Sequence, residues 1–217
     1  MKSYVLEVHD WETPASKYPL KRLGSAEIWR GRYKRGLYLM EGVAGYVFFH
    51  VTKPINVTAL RIHGKTVMVD DPLHWIGMKL LAEHCSGRTL IGGLGLGLIV
   101  HALNDNNRVE SIDVYEINGD VIELVKPLLP VDERVRVIHG DVFTANPKNY
   151  DTIVLDLWVG RGSPEMMIEM LNAYMYFKSR NINAEIYIWG LGDEKINPAV
   201  NMEARKIFLK VISGIGM

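Results

Sequence analysis

At 217 residues, 48% of them hydrophobic and 23% charged, the chain has room for one full α/β unit with a sizeable core plus a small appendage. Lys+Arg and Asp+Glu balance at 25 each, which argues against a protein held to nucleic acid mainly through phosphates. The single cysteine, Cys85, excludes an intrachain disulfide framework and a cysteine-rich metal site, and no apolar run reaches the roughly 18 residues that span a bilayer.

The first ten residues carry no signal-like apolar region, so a cytoplasmic protein without a membrane partner is expected. Residues 1–70 read as a small β-rich N-terminal domain, with strands over 26–33, 37–40, 46–51, 57–62 and 66–69 separated by turn-forming residues. His63-Gly64 between two β-branched runs predicts a tight hairpin, and the product is a small antiparallel sheet packed on the main domain. The first 25 residues, with Pro14 and Pro19, are assigned no element. Trp29-Arg-Gly-Arg-Tyr-Lys-Arg35 mixes four cations with two aromatics. It fits a nucleic-acid contact or simply a charged, exposed hairpin tip; the second is preferred.

Asp70-Asp71-Pro72 starts a helix, with Asp as N-cap and Pro at the first helical position. Leu73, Ile76, Gly77, Leu80 and Leu81 form its apolar stripe and Gly87 closes it, which opens a second domain over residues 71–217. Strands over 89–91, 109–116, 135–139, 151–157 and 185–190 then alternate with helices over 96–104, 120–126, 164–179 and 198–212. Such alternation predicts an α/β fold, a doubly wound and mostly parallel Rossmann-like sheet with helices on both faces.

Ligands in such sheets bind at the carboxyl ends of the strands, near the point where strand order reverses. The first of these ends is Gly92-Gly-Leu-Gly-Leu-Gly97, a strand turning sharply into a helix. Glycines there permit positive φ and let a ligand approach the backbone. Glu116 ends the second strand, where an acidic residue accepts hydrogen bonds from ribose hydroxyls. Asp141 ends the third, placed to accept from an exocyclic amine with Val142 packing on the base. Asp156 ends the fourth, where transferase chemistry needs a base or a cation holder.

A glycine turn followed by three acids in register resembles the class I S-adenosylmethionine-dependent methyltransferase fold. The likeness covers about residues 70–190 and rests on Gly92 to Gly97, Val114-Tyr-Glu-Ile-Asn118, Gly140-Asp-Val-Phe143 and Tyr150-Asp-Thr-Ile-Val-Leu-Asp156. Arg61-Ile-His-Gly-Lys-Thr-Val-Met-Val-Asp-Asp71 looks like the hairpin that leads into the fold in the spermidine synthase branch, which also carries a small β domain first. The resemblance implies a transferase that uses S-adenosylmethionine or decarboxylated S-adenosylmethionine, with methylthioadenosine as a related ligand. It would pass a methyl or aminopropyl group to a small amine of polyamine type. It implies that Gly93, Gly95 and Gly97 approach the cofactor, that Glu116 and Ile117 hold its ribose, and that Asp141 and Val142 meet its adenine. Asp156 is then the catalytic residue, with Asp71, His74 and Trp158 on the acceptor side.

The departures bear on the acceptor. Spermidine synthases place a second Asp shortly after the fourth-strand acid, and here that position is Val159. They also carry a Gln after the hairpin glycine, where this chain has Thr66, Val67 and Met68. Burying an unpaired ammonium is expensive, so the acceptor is expected to differ from the usual diamine. The alternative is a non-catalytic nucleoside-binding or structural module that keeps the fold. A nicotinamide dinucleotide fold wants Gly-x-Gly-x-x-Gly, and a DNA amino-methyltransferase wants prolines after the fourth acid, so neither is preferred.

After residue 190 the resemblance calls for an antiparallel hairpin, but 198–212 read as one helix and too few residues follow for two strands. The hairpin is therefore expected to be lacking, and the sheet edge covered by the N-terminal β-region or by a second copy in a homo-oligomer. The histidines form no metal-spaced set. His74 and His139 fall near the strand ends, His84 and His101 read as helix-surface residues, and Cys85 as inert. Met166, Met167, Met170 and Met175 read as core or interface filler.

Overall fold

The computed structural model describes residues 5–8, 11–42, 45–159 and 163–191. The first half holds β1 (Val5–Val8), β2 (Lys21–Leu23), β3 (Ala26–Tyr33), β4 (Gly36–Gly42), β5 (Gly45–Val51), β6 (Ile55–Ile62) and β7 (Lys65–Val69). After α1 (Pro72–Ala82) come β8 (Gly87–Gly92), α2 (Leu98–Leu103), β9 (Val109–Glu116), α3 (Gly119–Val125) and β10 (Val135–His139). The described chain closes with β11 (Thr152–Leu155), α4 (Pro164–Arg180) and β12 (Glu185–Ile188). The expected helix over 198–212, and the expectation that no hairpin follows the fifth strand of the parallel sheet, lie outside the described residues. No helix among the described residues is long and apolar enough to cross a membrane.

Strands β8 to β12 form one parallel sheet in the order β10-β9-β8-β11-β12. Its apolar residues alternate between two cores, as a sheet covered on both faces requires. Ile91, Ile112, Val114, Val154 and Tyr187 pack with α1, α2 and α3, while Leu90, Ile153, Leu155, Ile186 and Ile188 pack with α4. This is a doubly wound Rossmann-like sheet.

The N-terminal region holds the antiparallel sheet expected and a second sheet besides. It forms two sheets: β2-β3-β6-β7, which is antiparallel, and β1-β5-β4, in which β1 runs parallel to β5. Strands of three and four residues, such as β2 and β1, are too short to show a period. Ala26, Ile28 and Leu60 of the four-stranded sheet join the same core as α1 to α3. The Ser25 backbone N–H and hydroxyl both donate to the Asp120 carboxylate of α3 at 2.7 Å, which holds that carboxyl below its usual pKa.

The basic stretch from Trp29 is mostly strand body, because Trp29 to Tyr33 pair with β6 along their length. Arg30 turns inward and donates to the carbonyls of Ala15 (3.2 Å), Tyr18 (3.0 Å) and Ser16, tying down the 3-10 turn Pro14–Lys17. Asp70, fully buried, accepts from Thr58 N at 2.5 Å and from the Thr13 hydroxyl, and its carbonyl accepts from the Trp11 indole at 2.9 Å. Burial pushes the Asp70 carboxyl up, against the pull of Thr13, Thr58 and Arg30. Residues 11–18 are thereby strapped across the junction between the N-terminal sheet and α1.

Asp71 caps α1 as expected, accepting from His74 N at 3.0 Å. The buried face keeps Gly77 and Leu81 of the expected stripe and adds Met78 and Ala82, while Leu80 is 36% exposed. The core lies on the side of positions 77, 78, 81 and 82, a shift that the sequence pattern of α1 leaves undetermined. Gly87 does not close the helix; it is the first residue of β8.

The His63-Gly64 hairpin forms as predicted, with Ile62 opposite Lys65 and both turn residues at positive φ, 49° and 76°. His63 is the only described non-glycine residue there. His63→Asn should stabilise the fold by roughly 0.5–1 kcal/mol, because Asn tolerates the left-handed region better. A urea midpoint that rises with unchanged slope is the expected reading.

Candidate active site

The strand order reverses between β8 and β11, and the carboxyl ends of those strands are where sheets of this kind take a ligand. There the glycine turn and Asp156 are clamped backbone to backbone. Asp156 N donates to Gly92 O at 2.9 Å, and Gly93 N to Tyr115 O at 2.8 Å. Gly93 has φ 92°, and a Cβ on it would stand 2.4 Å from the Asp156 carbonyl oxygen. The missing side chain of Gly93 thus lets two segments of the chain meet.

Gly95 leaves room for another segment. A Cβ there would meet Sδ and Cε of Met68, on β7, at 2.5 Å, and the Leu96 N–H donates to that sulfur at 3.1 Å. At Gly97 the same position is taken by Leu129 Cδ2 at 2.3 Å. Gly93, Gly95 and Gly97 therefore all face the chain's own atoms.

Glu116, half-buried, braces the turn: Oε2 accepts from Leu94 N at 3.0 Å and Oε1 from Asn118 N at 2.8 Å. Ile117 beside it is 72% exposed, and its carbonyl accepts from His139 Nε2 at 3.1 Å. Asp141 is exposed and caps the turn Val142–Thr144 through Phe143 N at 3.0 Å. Val142 is buried, with its methyl carbons 3.2 Å from where a Gly92 Cβ would lie.

Asp156 and His74 come together. Nε2 of His74 lies 3.7 Å from Asp156 Oδ2, with both side chains at 14% exposure or less. Nε2 is buried and has no hydrogen-bond partner among the described residues. The ring stacks on Trp189 at 4.4 Å and 15°, just past the end of β12. Burial alone would depress the imidazole pKa; the carboxylates of Asp156, Asp71 and Asp70 outweigh it and hold it above the usual histidine value. The result is a buried, basic imidazole with an unspent nitrogen next to a carboxylate.

Trp158 is not part of this cluster. Its indole N–H donates to Glu169 on α4 at 3.2 Å, and the ring lines an open cleft of about 510 Å³ with Phe143, Leu157 and Tyr176. Two residues at the site escaped the sequence reading of roles: Trp189, whose only signal was an aromatic at a strand end, and Met68, noted there only as the absence of a Gln. His101, expected on a helix surface, lies half-buried under the turn. The Tyr18 hydroxyl sits 2.6 Å from its Nε2 and 3.1 Å from Leu96 O. Burial also depresses the His101 pKa. Cys85 is buried, and its thiol is pushed up to about 12 by that burial.

No protein-family model and no curated protein sequence matches the chain. Among solved structures it is similar to a probable spermidine synthase from Corynebacterium glutamicum ATCC 13032, with 14% identity over 71% of this chain and a TM-score of 0.43. It spans 60% of the length of that protein. A spermidine synthase from Thermotoga maritima aligns over 83% of this chain and 72% of its own, with 14% identity and a TM-score of 0.44. A putative S-adenosyl-L-methionine-dependent methyltransferase from Methanococcus maripaludis aligns over 64% and 76%, with 18% identity and a TM-score of 0.41. What the chain itself carries is a doubly wound, parallel Rossmann-like sheet in the order β10-β9-β8-β11-β12.

Proposed function

We propose that the protein is a transferase that draws on an adenosyl sulfonium, S-adenosylmethionine or its decarboxylated form, and alkylates a small amine held between His74 and Asp156. The observation that carries this reading is the His74–Asp156 pair at the strand-order reversal, with Nε2 unspent and 3.7 Å from the carboxylate. When bound, the sulfonium supplies an activated alkyl group, so the protein has mainly to orient the acceptor.

The residues present suit the nucleoside half of such a ligand. Glu116 ends β9 half-exposed with one backbone N–H on each oxygen, which leaves lone pairs for ribose hydroxyls. Ile117 offers an exposed apolar face next to it and Asp141 an exposed carboxylate at the neighbouring strand end. At the acceptor end, Asp156 takes a hydrogen bond from the amine. His74, kept basic by its three carboxylates and fixed flat against Trp189, receives the proton that the nitrogen sheds as it attacks.

Calorimetric titration with S-adenosylmethionine, its decarboxylated form and methylthioadenosine is the direct test. Binding of at least one is expected, with Glu116→Ala lowering affinity at least tenfold, about the worth of two hydrogen bonds. Failure of all three to bind would leave a non-catalytic module with the same fold.

A further inference from the structure

We infer that Met68 sets which adenosyl compound the glycine turn accepts: its thioether lies on the turn as a displaceable gate that admits short 5′-thioalkyl nucleosides and opposes those with an amino-acid tail. The inference deepens the nucleoside reading and rests on it. A nucleoside with its ribose at Glu116 and its 5′ end toward Asp156 crosses the turn at Leu94, Gly95 and Leu96. That path is where the Met68 Sδ and Cε lie, close enough that a Cβ on Gly95 would stand 2.5 Å away.

The contact is specific in its chemistry. The Leu96 N–H, a backbone donor that a tail carboxylate would use, is already given to the Met68 sulfur at 3.1 Å. A thioether is a weak acceptor, so a stronger one can displace it. The Glu116 carboxylate accepts from the neighbouring Leu94 N–H at 3.0 Å, and an incoming carboxylate meets its repulsion as well as the occupied donor. A methylthio group asks for neither. Met68 is held by backbone pairing with Leu60, and its unbranched side chain, packed at the edge of the core, has other rotamers to swing into.

The test compares wild type, Met68→Ala and Met68→Leu by calorimetric titration with methylthioadenosine and with S-adenosylmethionine. Removing the side chain should raise affinity for S-adenosylmethionine roughly tenfold, as expected when a closed conformer no longer competes, and change that for methylthioadenosine less than about twofold. The Leu variant, which keeps the bulk but frees the Leu96 N–H, should fall between wild type and Met68→Ala. Equal changes for the two ligands in Met68→Ala, or none, overturn the gate and leave the nucleoside reading standing. If neither ligand binds any of the three proteins, the gate falls, and the nucleoside reading falls with it once the decarboxylated form also fails to bind. A readout without ligand is the Leu96 amide resonance, which should move in both variants as the sulfur is lost; an unmoved amide removes the contact on which the gate depends.

Discussion

Gly93→Ala should lose about 3 kcal/mol of stability or more, together with any ligand binding at the turn, because the left-handed backbone and a backbone collision add. At φ 92° an L side chain is strained in any surroundings. Here the new Cβ also falls 2.4 Å from the Asp156 carbonyl oxygen, an atom of the main chain. Relief requires the turn to part from β11, which breaks Asp156 N to Gly92 O and strains Gly93 N to Tyr115 O. Each such bond is worth about 1 kcal/mol net. Gly64→Ala is the matched control. It has φ 76° with nothing within 4 Å of the new Cβ, so only the conformational cost of roughly 1–2 kcal/mol applies. Urea unfolding of the two variants side by side measures the difference, and equal losses would show that the turn is not clamped to Asp156.

Asp156→Asn should move the His74 pKa from above the usual 6.5 to below it and reverse the pH dependence of stability that His74 contributes. In the wild type the folded pKa is raised. The stability from His74 is then fully present below the unfolded value of 6.5 and is lost as pH rises through the folded pKa. Of the three carboxylates that raise it, Asp156 is the strongest; Asp71 and Asp70 act more weakly. With Asn in its place, burial becomes the controlling influence and favours the neutral ring. The variant then gains nothing from protonation and loses stability as pH falls below about 6.5, where the unfolded chain binds the proton instead. An imidazole NMR titration together with urea midpoints between about pH 5 and 8 reads both effects. A His74 pKa that stays above 6.5 in the variant would show that Asp156 is not its partner. Under the proposed transferase reading the same substitution should also slow turnover by about 100-fold, since acceptor hold and proton removal both depend on that pair.

Much of this architecture is written locally. The Asp71-Pro72 helix start, the His63-Gly64 hairpin and the five strands of the parallel sheet follow from capping, positive φ and apolar runs within a few residues of each other. The strand-end positions of Glu116, Asp141 and Asp156 follow from the same alternation, since each closes an apolar run. Where the reading fell short, the deciding contact is distant in sequence. The face α1 buries depends on the sheets it meets. The inward turn of Arg30 depends on carbonyls of the 3-10 turn that precedes β2.

By itself, then, the sequence determined that a glycine turn and three strand-end acids lie on a doubly wound sheet, because periodicity and turn chemistry act over a few residues. Only the tertiary structure decided what those groups face. His74 meets Asp156 and Trp189, and Met68 meets Leu96, through segments that the chain brings together from far apart. No local propensity specifies such a meeting. It follows from how α1, β7, β11 and β12 pack around the turn, and it puts the His74–Asp156 pair at one end of the turn and the Met68 thioether across its middle.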